Sequence, residues 1–313
     1  MKIASQWGEA INQAVAAAVP NAEIIAVEQG NIPCLSHGID ALLAAPMRNA
    51  AGDVPESPPE GWPFGLRWVQ LLSVGLDSYP AWLFDGPVVT SARGTSAVAM
   101  AEFAMMLILT DVKKTNSLWA SSPNDWALRE LNMMQDATLG IAGFGAVAEK
   151  LAQRALAFGM RVIATRRSSA RLEYQGVERA SGLAELFERS DHLVLTMPST
   201  PETIHCVNHA VLAHANPDLH LINLARGTLV DNEALLAALN SGKIRLASLD
   251  VTDPEPLPPG HSFYRHPKVR LTPHTSAATA STVLNLAALV ASNLEKLRRG
   301  EPLESVVSLG RGY

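Results

Sequence analysis

The stretch from Leu139 to Arg167, LGIAGFGAVAEKLAQRALAFGMRVIATRR, decides the fold. It reads as a short apolar strand, a glycine loop, an alanine-rich amphipathic helix and a second apolar strand ending in two arginines. Gly143 and Gly145 have no Cβ, so the backbone can turn sharply and approach a pyrophosphate, which meets free N–H groups at the helix N-terminus. Ala148 takes the third small position of a G-x-G-x-x-[GA] string. The string alone is weak, because Gly and Ala are abundant here. The strand before it, the helix after it and a second strand at the right distance supply the context it requires. The loop residues Gly143, Phe144, Gly145, Ala146 and Val147 are therefore the candidate dinucleotide-binding turn. An acidic residue about 20 positions on usually bonds the adenosine ribose, and Arg166 and Arg167 stand there instead. A guanidinium holds a 2′-phosphate through paired charge-assisted bonds, so the expected cofactor is NADP(H), with NAD(H) as second choice. The bland reading of both arginines is a pair of solvated surface charges.

Further strands extend the series on the carboxyl side: HLVLTM, LHLINL, IRLASL and KVRLTP, with helical segments such as DNEALLAALNSG between most of them. With the two already named they make six strands of a doubly wound parallel sheet. Its ligands belong at the carboxyl ends of the strands, after Ala142, Met197, Leu224, Leu249 and Pro273. The first third of the chain alternates KIAS, AEIIAV, ALLAAP, WVQLLSV and PVVTSA with helical stretches, as a second parallel sheet would. Residues 50–64, AAGDVPESPPEGWPF, hold too many prolines for a regular element and read as a surface loop. Two domains exchange chain at the helix after Ser96 and at the last long helix, from about Ala277 to about Arg299. The division is residues 1–97 plus 283–313 for one domain and 98–282 for the other.

With 313 residues, 48% hydrophobic and 18% charged, the chain is a soluble globular protein with room for two cores. A net charge of −5 and the absence of Lys/Arg runs beyond pairs such as Arg298 and Arg299 argue against a nucleic-acid partner. Cys34 and Cys206 form no disulfide framework or zinc spacing, which fits a reducing, cytoplasmic compartment. Glu9, Asn12 and Gln13 interrupt the N-terminal apolar residues, so this segment is an amphipathic helix and not a secretion signal. The longest apolar run, Ala97 to Leu109, contains Glu102 and is too short to span a bilayer; a buried core helix accounts for it, and no membrane is expected. The segment SLWASSPNDWALRELNMM carries Trp119, Trp126, Leu128 and Leu131, which either reach a second subunit or cover this chain's own core.

Three more strand ends carry chemistry. Arg226 follows a buried strand, where an unpaired guanidinium is costly, so it expects an anion: a substrate carboxylate or an ordinary salt bridge. The segment LASLDVTDPEPLP places Asp250 at a strand end and Glu255 in a proline-braced loop, and VRLTPHTSAAT places His274 before a helix. A carboxylate beside a histidine favours imidazolium, which suits an acid that protonates an oxyanion near neutral pH. Taken singly, His274 reads as a locally bonded strand-end histidine and Glu255 as a solvated loop residue.

Together these residues resemble the D-isomer-specific 2-hydroxyacid dehydrogenase family, whose cofactor domain carries ARG, DV-x-x-x-EP and TPH segments in this order. Here they are Ala225-Arg226-Gly227, Asp250-Val251 through Glu255-Pro256, and Thr272-Pro273-His274. LLSVGLD around Gly75 and SAVAMAEFAMMLIL around Glu102 extend the likeness over nearly the whole chain. The resemblance implies an α/β fold in which a doubly wound parallel-sheet (Rossmann) cofactor domain is inserted into a flavodoxin-like substrate domain. It implies Arg226, Glu255 and His274 as the catalytic set and a substrate carboxylate held by Arg226 and by the backbone N–H groups of Val74 and Gly75. It also puts Pro198 against the cofactor and Asp250 at the nicotinamide carboxamide. The basic pair at Arg166 resembles the glyoxylate/hydroxypyruvate reductases, in place of the Asp that many members carry. Asp136 stands where glycine is frequent, with no functional consequence read from it. The chain is expected to begin with the substrate domain and to lack an appended regulatory domain.

The expected reaction is NADPH-dependent reduction of a small 2-keto acid to the D-2-hydroxy acid, in a cleft closing between domains, by a homodimer and with no metal. A dinucleotide-sensing binding protein with little catalysis, or a reductase of a bulkier 2-keto acid, are the alternatives.

Overall fold

The computed structural model describes residues 1–28, 38–47, 53–167 and 174–309. Cys34 and residues 50–52 of the proline-rich loop lie outside them. The chain forms two compact units, Met1–Ser96 with Thr279–Tyr313, and Ala97–Ala278. The return to the first unit comes ahead of the final long helix, whereas the sequence reading placed it at 283, inside that helix.

The first unit holds β1 (Lys2–Ser5), α1 (Glu9–Ala18), β2 (Glu23–Ala26), β3 (Ala41–Ala44), β4 (Trp68–Leu71) and β5 (Val88–Thr90). The strands run parallel in the order β2-β1-β3-β4-β5, the flavodoxin order. β3 and β4 are buried throughout, and the unbroken runs ALLA and WVQL are what strands covered on both faces require. The described residues 53–64 form no helix, as the proline-rich loop reading expects, because Pro55, Pro58, Pro59 and Pro63 remove the N–H donors a helix needs. Between β4 and β5 a 3₁₀ turn at Ala81–Phe84 stands in place of the expected helical stretch. At the edge of the sheet, Ser91 N–H donates to Ser305 and Val307 N–H to Val89, both at 2.9 Å, so the C-terminal segment covers β5.

The second unit opens with α2 (Ala97–Val112), followed by β6 (Thr138–Ala142), α3 (Ala146–Ala157), β7 (Arg161–Thr165) and β8 (Val177–Arg179). Then come α4 (Leu183–Arg189), β9 (His192–Leu195), α5 (His209–Leu212), β10 (His220–Asn223), α6 (Asn232–Ser241), β11 (Leu246–Leu249) and β12 (Val269–Leu271). All strands are parallel, in the order β12-β11-β10-β9-β6-β7-β8. Counted from β6 this is the dinucleotide-binding order, in which the chain winds outward through β7 and β8, then restarts at β9 on the other side of β6. The sheet thus has seven strands where six were expected. β8 escaped notice because VER is a three-residue edge strand, mostly exposed, with no apolar run.

Both faces of this sheet are covered. Ala104 and Ile108 of α2 and Leu151 of α3 pack on Leu139, Ile141, Val194 and Ile222, while Phe187 of α4 and Leu235 and Leu239 of α6 cover Leu193, Leu221 and Ala247. Each such fully buried leucine or phenylalanine contributes roughly 1.5–3 kcal/mol. The Ala97–Leu109 run is therefore the core helix its composition required. Asp231 caps α6 by accepting the N–H groups of Glu233 and Ala234, and Gly242, at φ +74°, ends it. Asp136 also sits in the left-handed region, at φ +64°, which glycine adopts at the least cost.

The last helix, α7 (Ala280–Arg299), starts at Thr279, whose hydroxyl accepts the Thr282 N–H. Its Leu286, Val290 and Leu294 share a core with Ile3, Val15 and Trp68 of the first unit. Trp119 and Trp126 are 84% and 86% exposed and Leu128 is fully exposed, so these side chains do not cover the chain's own core, whereas Met134 at the end of the segment is buried in it. Among the described residues, no helix is long and apolar enough to cross a membrane.

Candidate active site

The glycine turn lies at the switch point of the second sheet. Thr196 N–H donates to Ala142 at 2.9 Å, tying the carboxyl ends of β6 and β9 together, and Thr196 Oγ1 donates to Gly143 at 2.7 Å. Gly143 takes φ +92°, and a Cβ there would lie 2.8 Å from that of Met197, so a side chain is excluded twice over. Gly145 differs: it stands at the start of α3 with no side-chain cap, and an added Cβ would meet nothing within 4 Å. An uncapped helix start facing open space is the cradle a pyrophosphate fits. Phe144 packs edge-on against Tyr174, and Ala146 and Val147 form the first turn of α3. Arg166 and Arg167 follow β7 directly, both exposed; hydrogen bonding, chiefly from the Thr200 hydroxyl, with a lesser part from the Arg167 charge, holds Glu202 below the usual carboxylate range. Pro198 lies in the loop after β9, where its carbonyl accepts Thr203 Oγ1 at 2.8 Å.

Three strand ends further along the same sheet carry the chemical groups. His274 Nδ1 and Glu255 Oε1 are 2.7 Å apart, both side chains nearly half exposed. The Glu255 hydrogen bond raises the His274 pKa above its ordinary value, and the carboxylate charge adds to it, outweighing burial and the nearby Arg226. Burial pushes Glu255 the other way, but the His274 bond and charge, the Thr252 N–H and Arg226 together hold it below its usual range. Arg226 is half-buried at the end of β10, with Nη1 donating to Ala225 at 2.8 Å. Its charge acts on both members of the pair, which puts Arg226 near Glu255 and His274. Val74 and Gly75 lie in the first unit beyond the carboxyl end of β4, where Ser73 Oγ donates to Gly75 at 2.9 Å.

Residues 103–276 match the family described as D-isomer specific 2-hydroxyacid dehydrogenase, NAD binding domain. The chain belongs to this family. Glyoxylate/hydroxypyruvate reductase A of Serratia proteamaculans is 32% identical over 262 residues, 79% of this chain and 82% of that protein. Among solved structures, the NADPH-dependent glyoxylate/hydroxypyruvate reductase of Sinorhizobium meliloti, in complex with NADP and sulfate, superposes with a TM-score of 0.80. It is 28% identical and the match covers 100% of this chain and 99% of that one. A D-isomer specific 2-hydroxyacid dehydrogenase from Xanthobacter autotrophicus, in complex with NADPH and MES, gives a TM-score of 0.81 at 25% identity, over 100% and 99% of the two chains.

Two features of this dehydrogenase site escaped the sequence reading. Asp250, expected at the cofactor, spends its oxygens on the His274 loop. Its Oδ1 accepts Thr272 Oγ1 at 2.6 Å and Thr275 N–H at 2.9 Å, and Oδ2 accepts Ser276 N–H at 3.0 Å. Its backbone carbonyl also accepts the His274 N–H at 2.8 Å. These bonds hold His274 at φ +50°, a conformation costing of order 1–3 kcal/mol for a non-glycine residue. Gly227 is the second. A Cβ there would collide with the backbone carbonyl of Thr252, so the loops bearing Arg226 and Glu255 touch main chain to main chain. The glycine of the ARG segment was readable as a turn. Its partner loop was not, because the contact joins residues 25 positions apart with no side chain to announce it.

Proposed function

We propose that this dehydrogenase reduces a small 2-keto acid of the glyoxylate or hydroxypyruvate type to the D-2-hydroxy acid with NADPH. The 2.7 Å His274–Glu255 pair, under the charge of Arg226 at the carboxyl ends of one sheet, carries the reading. NADPH, when bound, supplies hydride to the keto carbon. His274, with Nδ1–H donated to Glu255, delivers a proton from Nε2 to the developing oxyanion, and Glu255 keeps the imidazolium favoured and oriented. Arg226 pairs with the substrate carboxylate and polarises the carbonyl. The carboxylate-binding role of Val74 and Gly75 rests on the family resemblance alone, as does any contact of Asp250 or Pro198 with the nicotinamide end.

Gly143 to Val147 bind the pyrophosphate, and Arg166 and Arg167 take the 2′-phosphate, with NAD(H) as the weaker alternative. The relatives named above for NADPH or NADP support that preference. Unit Ala97–Ala278 is accordingly the cofactor domain and the other unit the substrate domain. The exposed Trp119, Trp126 and Leu128 support a homodimer, since large exposed aromatic side chains in one segment favour a subunit contact. A cytoplasmic location belongs to the same proposal.

Initial rates with NADPH and NADH across glyoxylate, hydroxypyruvate and pyruvate test it. NADPH oxidation with the smaller acids is expected; a preference for NADH, or no turnover of any 2-keto acid, overturns it.

A further inference from the structure

At the other end of the second sheet, away from Arg226, Glu255 and His274, three side chains converge that the reaction does not use. His192 and His220 are the first residues of β9 and β10, paired in register on the face that α2 covers. Asp111 stands one residue before the end of α2. The imidazole Nδ1 atoms face each other at 3.3 Å, and His220 Nδ1 lies 3.7 Å from Asp111 Oδ2. Two imidazole nitrogens this close must hold either a shared proton or a cation between them.

We propose that Asp111, His192 and His220 form a binding site for a divalent transition-metal ion of the zinc class, which fastens α2 to β9 and β10. Imidazole and carboxylate suit Zn²⁺, Co²⁺, Ni²⁺ and Cu²⁺. Bonds of about 2.0–2.1 Å in tetrahedral geometry set ligand atoms roughly 3.3 Å apart, close to the two distances found here. All three ligand atoms already lie within 4.8 Å of one another, so closing the set needs a contraction of at most about 1.5 Å along the third edge.

The surroundings complete the site as outer partners do in metal centres. His220 Nε2 is 2.8 Å from Ser248 Oγ; with its N–H donated there, the Nδ1 lone pair points to the ion. Arg245 grips Asp111 in a fork, at 2.9 Å to Oδ1 and 2.6 Å to Oδ2, and fixes the carboxylate plane. A cavity of about 620 Å³ reaches His192 and Asp111 and gives an ion and its water ligand entry. The charges facing the cluster are mixed: Arg245, Arg270 and Lys114 against Asp191 and Asp218.

The three ligands come from separate elements, so no spacing in the sequence announces them. The ion joins the helix to the amino ends of two central strands, and its effect is on the stability of this unit, not on hydride transfer. Co²⁺ added to the metal-stripped full chain is the test. One equivalent is expected to give visible d–d absorption, and Zn²⁺ to displace it and raise the Tm. H192Q and D111N are expected to lose the band and to bind Zn²⁺ at least tenfold more weakly while retaining keto-acid reduction. Wild-type crystals soaked in Zn²⁺ read the site even if both variants misfold, through an anomalous peak between the two imidazoles. No Co²⁺ band in the wild type, an unchanged band in folded variants, or an anomalous peak only elsewhere overturns the proposal.

Discussion

Replacing Gly227 by alanine separates a glycine that joins two functional loops from one that merely turns the chain. The new Cβ would lie 2.5 Å from Asp253 N and closer still to the carbonyl group of Thr252. Ordinary contact begins near 3.4 Å and the nearest Thr252 atom would lie at 2.0 Å, so the 252–255 loop must retreat by about 1.4 Å. Main chain blocks the new methyl, so no rotamer change relieves the overlap, and overpacking of this kind costs about 1–3 kcal/mol. The same displacement carries Glu255 away from His274 and Arg226, and a misplacement of about 1 Å at a reacting group lowers turnover about 100-fold. Urea unfolding followed by circular dichroism reads the first effect, and kcat with saturating NADPH and glyoxylate reads the second. Gly145→Ala is the control: its Cβ enters open space, so stability should change little while the KM for NADPH rises at least about tenfold, because the methyl occupies the pyrophosphate cradle. If G227A unfolds and turns over like the parent, the two loops are not coupled through this contact and the account of the site fails.

Other substitutions address the remaining roles. His274→Ala should reduce kcat by about 10²–10⁴ and leave the Kd for NADPH unchanged, measured by fluorescence titration; an active variant removes His274 from the chemistry. Reduction needs imidazolium, so kcat should fall as pH rises through the raised His274 pKa, and Glu255→Gln, which removes the group that raises it, should move that fall to lower pH. The stability of the pair follows the same signs. The histidine contribution is present below its ordinary pKa near 6.5 and is lost as pH rises through the raised folded value. The carboxylate contribution is present above 4.5 and is lost as pH falls through the lowered one. The wild-type advantage over E255Q in thermal unfolding should thus be widest between those limits, and an advantage that does not vary with pH contradicts the pairing. Arg166→Asp with Arg167→Ser should lower kcat/KM for NADPH about 10–100-fold, from the loss of one or more charged hydrogen bonds, with little change for NADH.

What sequence discloses here is what repeats or what a ligand must touch. β6, α3 and β7 were legible because apolar periodicity, a glycine pair and a charge at the second strand end all lie within one continuous stretch. Arg226, Glu255 and His274 were legible only as an ordered set, since each alone has an ordinary structural reading, and it is the sheet that gathers their strand ends. β8 was not legible because an exposed edge strand of three residues buries too little to impose a period. Asp250 was legible as a strand-end carboxylate, but its chief observed work, fixing a histidine in a left-handed backbone, is visible only once Thr272, Thr275 and Ser276 close around it. Gly227 and the Asp111–His192–His220 cluster share that cause: contacts set by sheet order between residues distant in the chain leave no local pattern. His192 and His220 even sit where buried strands normally place Val, Ile or Leu, and a polar ring at such a position is costly unless another group meets it. In a parallel sheet, a histidine opening two adjacent strands is therefore a prompt to look across the register for its partner, which here is the other histidine, with the end of α2 beside it.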